Sequence, residues 1–113
     1  MFPVSTIRSS QEIDSIFRTA RRAAHPLVIA LVAQTPPGRD HYGRVAFIAG
    51  KKLGGAVMRN RSKRVMREAV RAAGGPWPGL DVALIARPST GSAPCGELAR
   101  AVASVVSRAG AAE

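Results

Sequence analysis

KKLGGAVMRNRSKRVMREAVR, residues 51–71, is the stretch around which the fold has to be built. Eight of the chain's seventeen Lys and Arg residues lie in it against a single acid, Glu68, so this fifth of the chain holds +7 of the formal +10 net charge. After Gly54 and Gly55 the apolar pattern takes a period of about 3.6 residues and keeps it from Ala56 to about Ala73, which predicts a helix. GGPWPG, residues 74–79, predicts its stop, because Gly74 can take the left-handed conformation and Pro76 cannot continue a helix. Stepping from Arg59 puts Lys63, Arg67, Asn60, Arg71 and Arg64 at about 40°, 80°, 100°, 120° and 140° around the axis. Met58, Val65, Ala69, Ala72, Ala73 and Met66 fall between about 220° and 340°, so that side is expected to pack on a sheet.

A solvated helix normally interleaves charges of both signs. Here Arg59, Lys63, Arg67 and Arg71 repel one another at spacing i, i+4, and only Glu68 offers Arg64 relief. Such repulsion points to a polyanion that neutralises it, and Arg forks match phosphate oxygens. A helix lying on a membrane would carry Trp, Phe or Leu on its apolar face rather than Ala, so nucleic acid is the expected partner and no membrane contact is predicted.

Working outward, LDVALIAR (residues 80–87) is almost wholly apolar and predicts a central strand. Pro94 can start a last helix with Leu98, Ala101, Val102, Val105 and Val106 on one face. On the N-terminal side, residues 27–34 and RVAFIAG (44–50) predict two strands, with turn signals at Pro36, Pro37, Gly38 and Asp40 that suggest an antiparallel hairpin. Ser9 and Glu12 form a capping box, and Ile13, Ile16, Phe17, Ala20 and Ala24 predict a first helix over about residues 10–22. His25 before Pro26 moves the chain out of the helical region. The order helix, strand, strand, basic helix, strand, helix gives one α+β domain over residues 1–113, with residues 110–113 expected to fray.

Composition limits the rest. At 113 residues, 46% apolar and 21% charged, the chain is one domain with a core and not a disordered polyelectrolyte. A pI near 11.6 favours a polyanionic partner. One cysteine, Cys95, excludes an internal disulfide and a Cys-rich metal site, and fits a reducing, cytoplasmic setting. The N-terminal residues show no basic region followed by an apolar run, and no segment approaches the ~18 apolar residues of a membrane span, so a soluble, unexported chain is expected.

A nuclease acting alone needs clustered carboxylates or a positioned acid and base. Seven acids are scattered here. Glu12 and Asp14 lie on different helix faces, and His25 and His41 have no visible orienting partner. Cys95 reads as a small buried residue at the start of the last helix, and Trp77 as a cap on the core beside a turn. No catalytic residue and no protein-bound metal are predicted.

The stretch also resembles the signature of the bacterial ribonuclease P protein component, roughly K-K-x-G-x-A-V-x-R-N-R-x-K-R-x-x-R-E. Lys51, Lys52, Gly54, Ala56, Val57, Arg59, Asn60, Arg61, Lys63, Arg64, Arg67 and Glu68 meet its fixed positions. Arg44, Val45 and LIARP (84–88) extend the likeness outward. The resemblance implies a small α/β sandwich with about four strands, order α-β-β-β-α-β-α and a left-handed β-α-β crossover, the ribosomal protein S5 domain 2-like fold. It implies an accessory subunit of an endoribonuclease that removes 5′ leaders from precursor tRNA, with Mg2+ held by the RNA subunit; no protein partner is evident in the sequence.

Carried over by position, Lys51, Lys52, Arg59, Asn60, Arg61, Lys63, Arg64, Arg67 and Arg71 would contact the RNA subunit. Ile13, Phe17, Val28 and Ala30 would line a cleft for the leader. Ile13, Ala20 and Ala30 depart from the family's usual Phe, Gly and aromatic residue, and Arg8 stands alone where several cations are usual. Those departures imply weaker leader contact. Two other readings fit the residues: a ribosomal-type structural RNA binder, and a protein that compacts DNA or coats anionic membranes.

Overall fold

The computed structural model describes residues 20–34 and 43–111. The capping box at Ser9, most of the first helix with Ile13 and Phe17, the turn after Gln34, and His41 lie outside the described residues.

Four strands form one mixed sheet in the order β1-β2-β4-β3, with β1 Arg21–His25, β2 Val28–Gln34, β3 Arg44–Ile48 and β4 Leu80–Ala86. β4 is buried along most of its length and is hydrogen-bonded on both sides, antiparallel to β2 and parallel to β3. This is the central strand that its apolar sequence predicts. The expected hairpin between residues 27–34 and 44–50 does not form. β4 lies between those two strands, because a strand apolar on both faces gains most where it has a neighbour on each edge. The parallel pair β3 and β4 is connected through the basic helix, α1 (Ala56–Ala72).

β2 finds its antiparallel hairpin partner on the other side, in β1. Arg21 and Arg22 therefore belong to a strand and not to the end of the first helix. The turn is tied locally, with the Leu27 amide donating to His25 Nδ1 at 3.0 Å. His25 thus has a partner that the sequence does not reveal.

The main core joins one sheet face to α1 and to the C-terminal helix, α2 (Cys95–Ala111). Leu98, Ala101, Val102, Val105, Val106 and Ala109 of α2 are buried against Val28, Ala30, Val32, Val82 and Leu84. Full burial of a Leu or Val contributes about 1.5–3 kcal/mol, so this seam supplies a large part of the stability. The opposite sheet face carries a smaller cluster of Leu31, Ala46 and Ala83 with Ala20, Ile48 and Ile85. The result is the expected α+β sandwich.

α2 starts where Pro94 predicts, its carbonyl accepting from the Leu98 amide at 2.9 Å. Residues 94–97 are exposed, so the first turn overhangs the core and Cys95 is exposed rather than buried. The helix continues to Ala111, beyond the expected fraying at Gly110.

α1 ends as its sequence dictates. Gly74 has φ +92°, its amide donates to the Arg71 carbonyl at 3.2 Å, and the Gly75 amide donates to the Val70 carbonyl at 2.9 Å. This is a Schellman stop, which a residue with a Cβ takes only at a cost. Gly43, at φ +80°, admits the backbone of Trp77: a Cβ there would stand 2.1 Å from the Trp77 carbonyl oxygen. Trp77 is half-buried against the main core, the capping role expected of it.

Candidate nucleic-acid interface

α1 buries Ser62, Met66, Ala69 and Val70. Compared with the periodic prediction, the buried arc is rotated by roughly 50° toward the cations. Met66 and Val70, one turn apart, are the large apolar pair that the sheet and α2 accept. Met58 and Ala72, expected in the core, are exposed. Small Ser62 and Ala69 complete the inward face and let the helix lie close.

The rotation sorts the cations by depth. Asn60, Arg61, Arg64 and Arg71 are exposed, whereas Arg59, Lys63 and Arg67 are half-buried along the flank. The Arg67 guanidinium sits over the Phe47 ring, 5.1 Å from its centroid, so the β3 aromatic holds this cation toward one edge of the sheet. Arg59 Nε is buried without a hydrogen-bond partner. Arg61 Nε donates to the Gly91 carbonyl at 2.9 Å, tying α1 to the 3-10 turn Thr90–Ser92. That turn is tied in its own right to the start of β2, since Thr90 Oγ1 donates to the Leu27 carbonyl and Ser89 Oγ donates to the Pro26 carbonyl at 2.7 Å. Arg61 is thus a structural tether as well as a surface cation.

Lys51 and Lys52 occupy a 3-10 turn, Lys51–Leu53, and both are exposed immediately before α1. Gly55 caps α1 without a side-chain hydrogen bond, and no acid lies in the first turn. The positive end of the helix dipole therefore adds to the lysines, while Arg71 in the last turn complements the negative end. All nine residues expected to contact RNA lie on α1 or on the 3-10 turn just before it.

Of the expected cleft residues, Ile13 and Phe17 lie outside the described residues. Val28 and Ala30 are 0% exposed in the main core, beneath α2, and offer no surface to a ligand. Side chains alternate along β2, so the face turned away from the helices carries Ile29, Leu31 and Ala33 instead. There Ile29, Ile85 and Ile48 form a half-buried row across β2, β4 and β3.

One residue escaped the sequence-level site. Val57 is 82% exposed and sits at about 160° on the wheel, among the cations. The signal was available, because an apolar residue on that side has no core to face.

Among the described residues, no three His, Cys, Asp or Glu side chains gather into a group able to hold a metal ion. No helix among them is long and apolar enough to cross a membrane.

The chain matches the family model described as Ribonuclease P over residues 2–110. It is 36% identical over 108 residues to the ribonuclease P protein component of Symbiobacterium thermophilum, covering 92% of this chain and 90% of that one. It is 40% identical over 78 residues to the ribonuclease P protein component of Dehalococcoides mccartyi (strain CBDB1), covering 69% of this chain and 64% of that protein, so less than two thirds of that relative is spanned. The RNase P protein of Staphylococcus aureus superposes with a TM-score of 0.77 at 23% identity, covering 94% of this chain and 95% of that one. That of Thermotoga maritima gives 0.74 at 21%, covering 92% and 96%. These two likenesses establish the shared fold, and the match across almost the whole sequence establishes the kinship: the chain belongs to the ribonuclease P protein family.

Proposed function

We propose that the chain is the protein subunit of a ribonuclease P, binding the catalytic RNA through α1 and assisting removal of the 5′ leader from precursor tRNA in the cytoplasm. The observation that carries this is the division of α1, with Met66 and Val70 in the core and Arg59, Lys63, Arg64, Arg67 and Arg71 on its flank and outer face. A rigid helix presenting Arg forks at regular intervals suits a phosphate backbone.

The chain works as an accessory without an active site of its own, and the Mg2+ ions that activate water belong to the RNA. Leader contact rests on Ile13 and Phe17 and on the isoleucine row, since Val28 and Ala30 are closed off. The test is reconstitution: added to a bacterial ribonuclease P RNA at low magnesium, the folded chain restores cleavage of precursor tRNA. A folded chain that leaves the RNA inactive there overturns the proposal.

A further inference from the structure

We propose that Val57, with Met58 beside it, is a docking surface for an unpaired nucleobase of the RNA bound by α1. Among the described residues these are the exposed large hydrophobics, Val57 at 82% and Met58 at 44%. Neither helix propensity nor packing accounts for Val57. A β-branched residue in an exposed turn is a poorer helix former than Ala, and Val57 has no core contact to offset that.

The surroundings leave the pair open. Met58 lies between two glycines: a Cβ on Gly54 would stand 3.7 Å from Met58 Cβ and Cγ, and one on Gly91 4.0 Å from its Cε. Neither glycine adds a side chain over Met58. Val57 is the second residue of α1, one turn before Asn60 and Arg61 and two turns before Arg64, with Lys51 and Lys52 exposed on the preceding turn. An apolar spot ringed by cations selects a partner that is anionic at its edges and apolar on a flat face. In RNA the base faces meet that description, and they are free only where bases are unpaired and unstacked. The inference rests on RNA being the partner of α1.

The test uses the full chain and a ribonuclease P RNA transcript, with binding measured across a salt series for wild type, Val57→Ala and Val57→Lys. Circular dichroism melts confirm the fold, which the exposure of Val57 leaves intact. Val57→Ala weakens binding about fivefold, the loss of two partly buried methyl groups, with the salt slope unchanged. Val57→Lys also weakens binding although it adds a cation. Base-specific chemical probing shows one or two unpaired bases protected by wild type and reactive again with Val57→Ala. Equal or tighter binding by Val57→Lys, or identical protection patterns, overturns the docking surface while leaving the RNA partner standing. Wild type that binds this RNA no better than an unrelated RNA of equal length overturns the partner, and the inference with it.

Discussion

α1 and α2 are both 17 residues long and pack into the same core on the same sheet face, yet they use their residues for opposite ends. α1 buries four side chains, of which only Met66 and Val70 are large. α2 buries Leu98, Ala101, Val102, Val105, Val106 and Ala109. A helix that must hold a row of cations at i, i+4 cannot also be a strong structural element, because its own charges oppose it. α2 and the central strand β4 supply the stability that lets α1 keep its charge. Binding and stability should therefore separate cleanly by helix.

Leu98→Ala breaks that comparison hardest on the structural side. Leu98 is fully buried in the main core, so its truncation lowers unfolding free energy by about 2–5 kcal/mol. Urea denaturation reads the loss. RNA affinity of the folded fraction stays within about twofold of wild type. A large affinity change with an intact fold would mean that α2 also touches RNA.

Arg64→Ala is the counterpart on α1. Arg64 is exposed on the outer face, so stability changes by less than about 0.5 kcal/mol. RNA affinity falls, and the slope of log affinity against log salt drops by about one if one phosphate contact is lost. Arg61→Ala is not the equivalent experiment that its sequence position suggests, because its Nε holds the Gly91 carbonyl and loss of the tether mixes stability with binding.

These contrasts also mark what the sequence discloses. α1, α2, β2, β3 and β4 follow from periodicity, apolar runs and glycine stops, since each has a strong local pattern. β1 does not. RRAAH buries only Ala23 while Arg21, Arg22 and Ala24 are exposed, so it lacks the alternation that identifies a strand and takes its form from pairing with β2. The β2–β4 pairing is equally hidden, because which edge a strand joins depends on the whole sheet. In the site, the identity of the cations was legible and their depth was not. The rotation of α1 that half-buries Arg59, Lys63 and Arg67 is fixed by how Met66 and Val70 meet the sheet. Val28 and Ala30 were misplaced for the same reason, as a strand's two faces look alike in a run as uniformly apolar as VIALVAQ.

Arg67 offers the smallest and finest separation of the two roles. Its guanidinium lies 5.1 Å from the Phe47 centroid, and Phe47 is a half-buried residue of β3 at the margin of the main core. Phe47→Leu keeps an apolar side chain at that margin and keeps the Arg67 charge, but removes the ring face that orients it, an interaction of about 0.5–1 kcal/mol at such a site. RNA affinity then falls by about twofold to threefold with the salt slope unchanged, because the number of cations is the same and only their placement is looser. If instead the slope falls along with affinity, Arg67 needs the ring to reach its phosphate at all, and the sheet edge is part of the binding element. If affinity holds while the melting temperature drops, Phe47 serves the core alone and the division of labour between the helices extends to the strand beneath them.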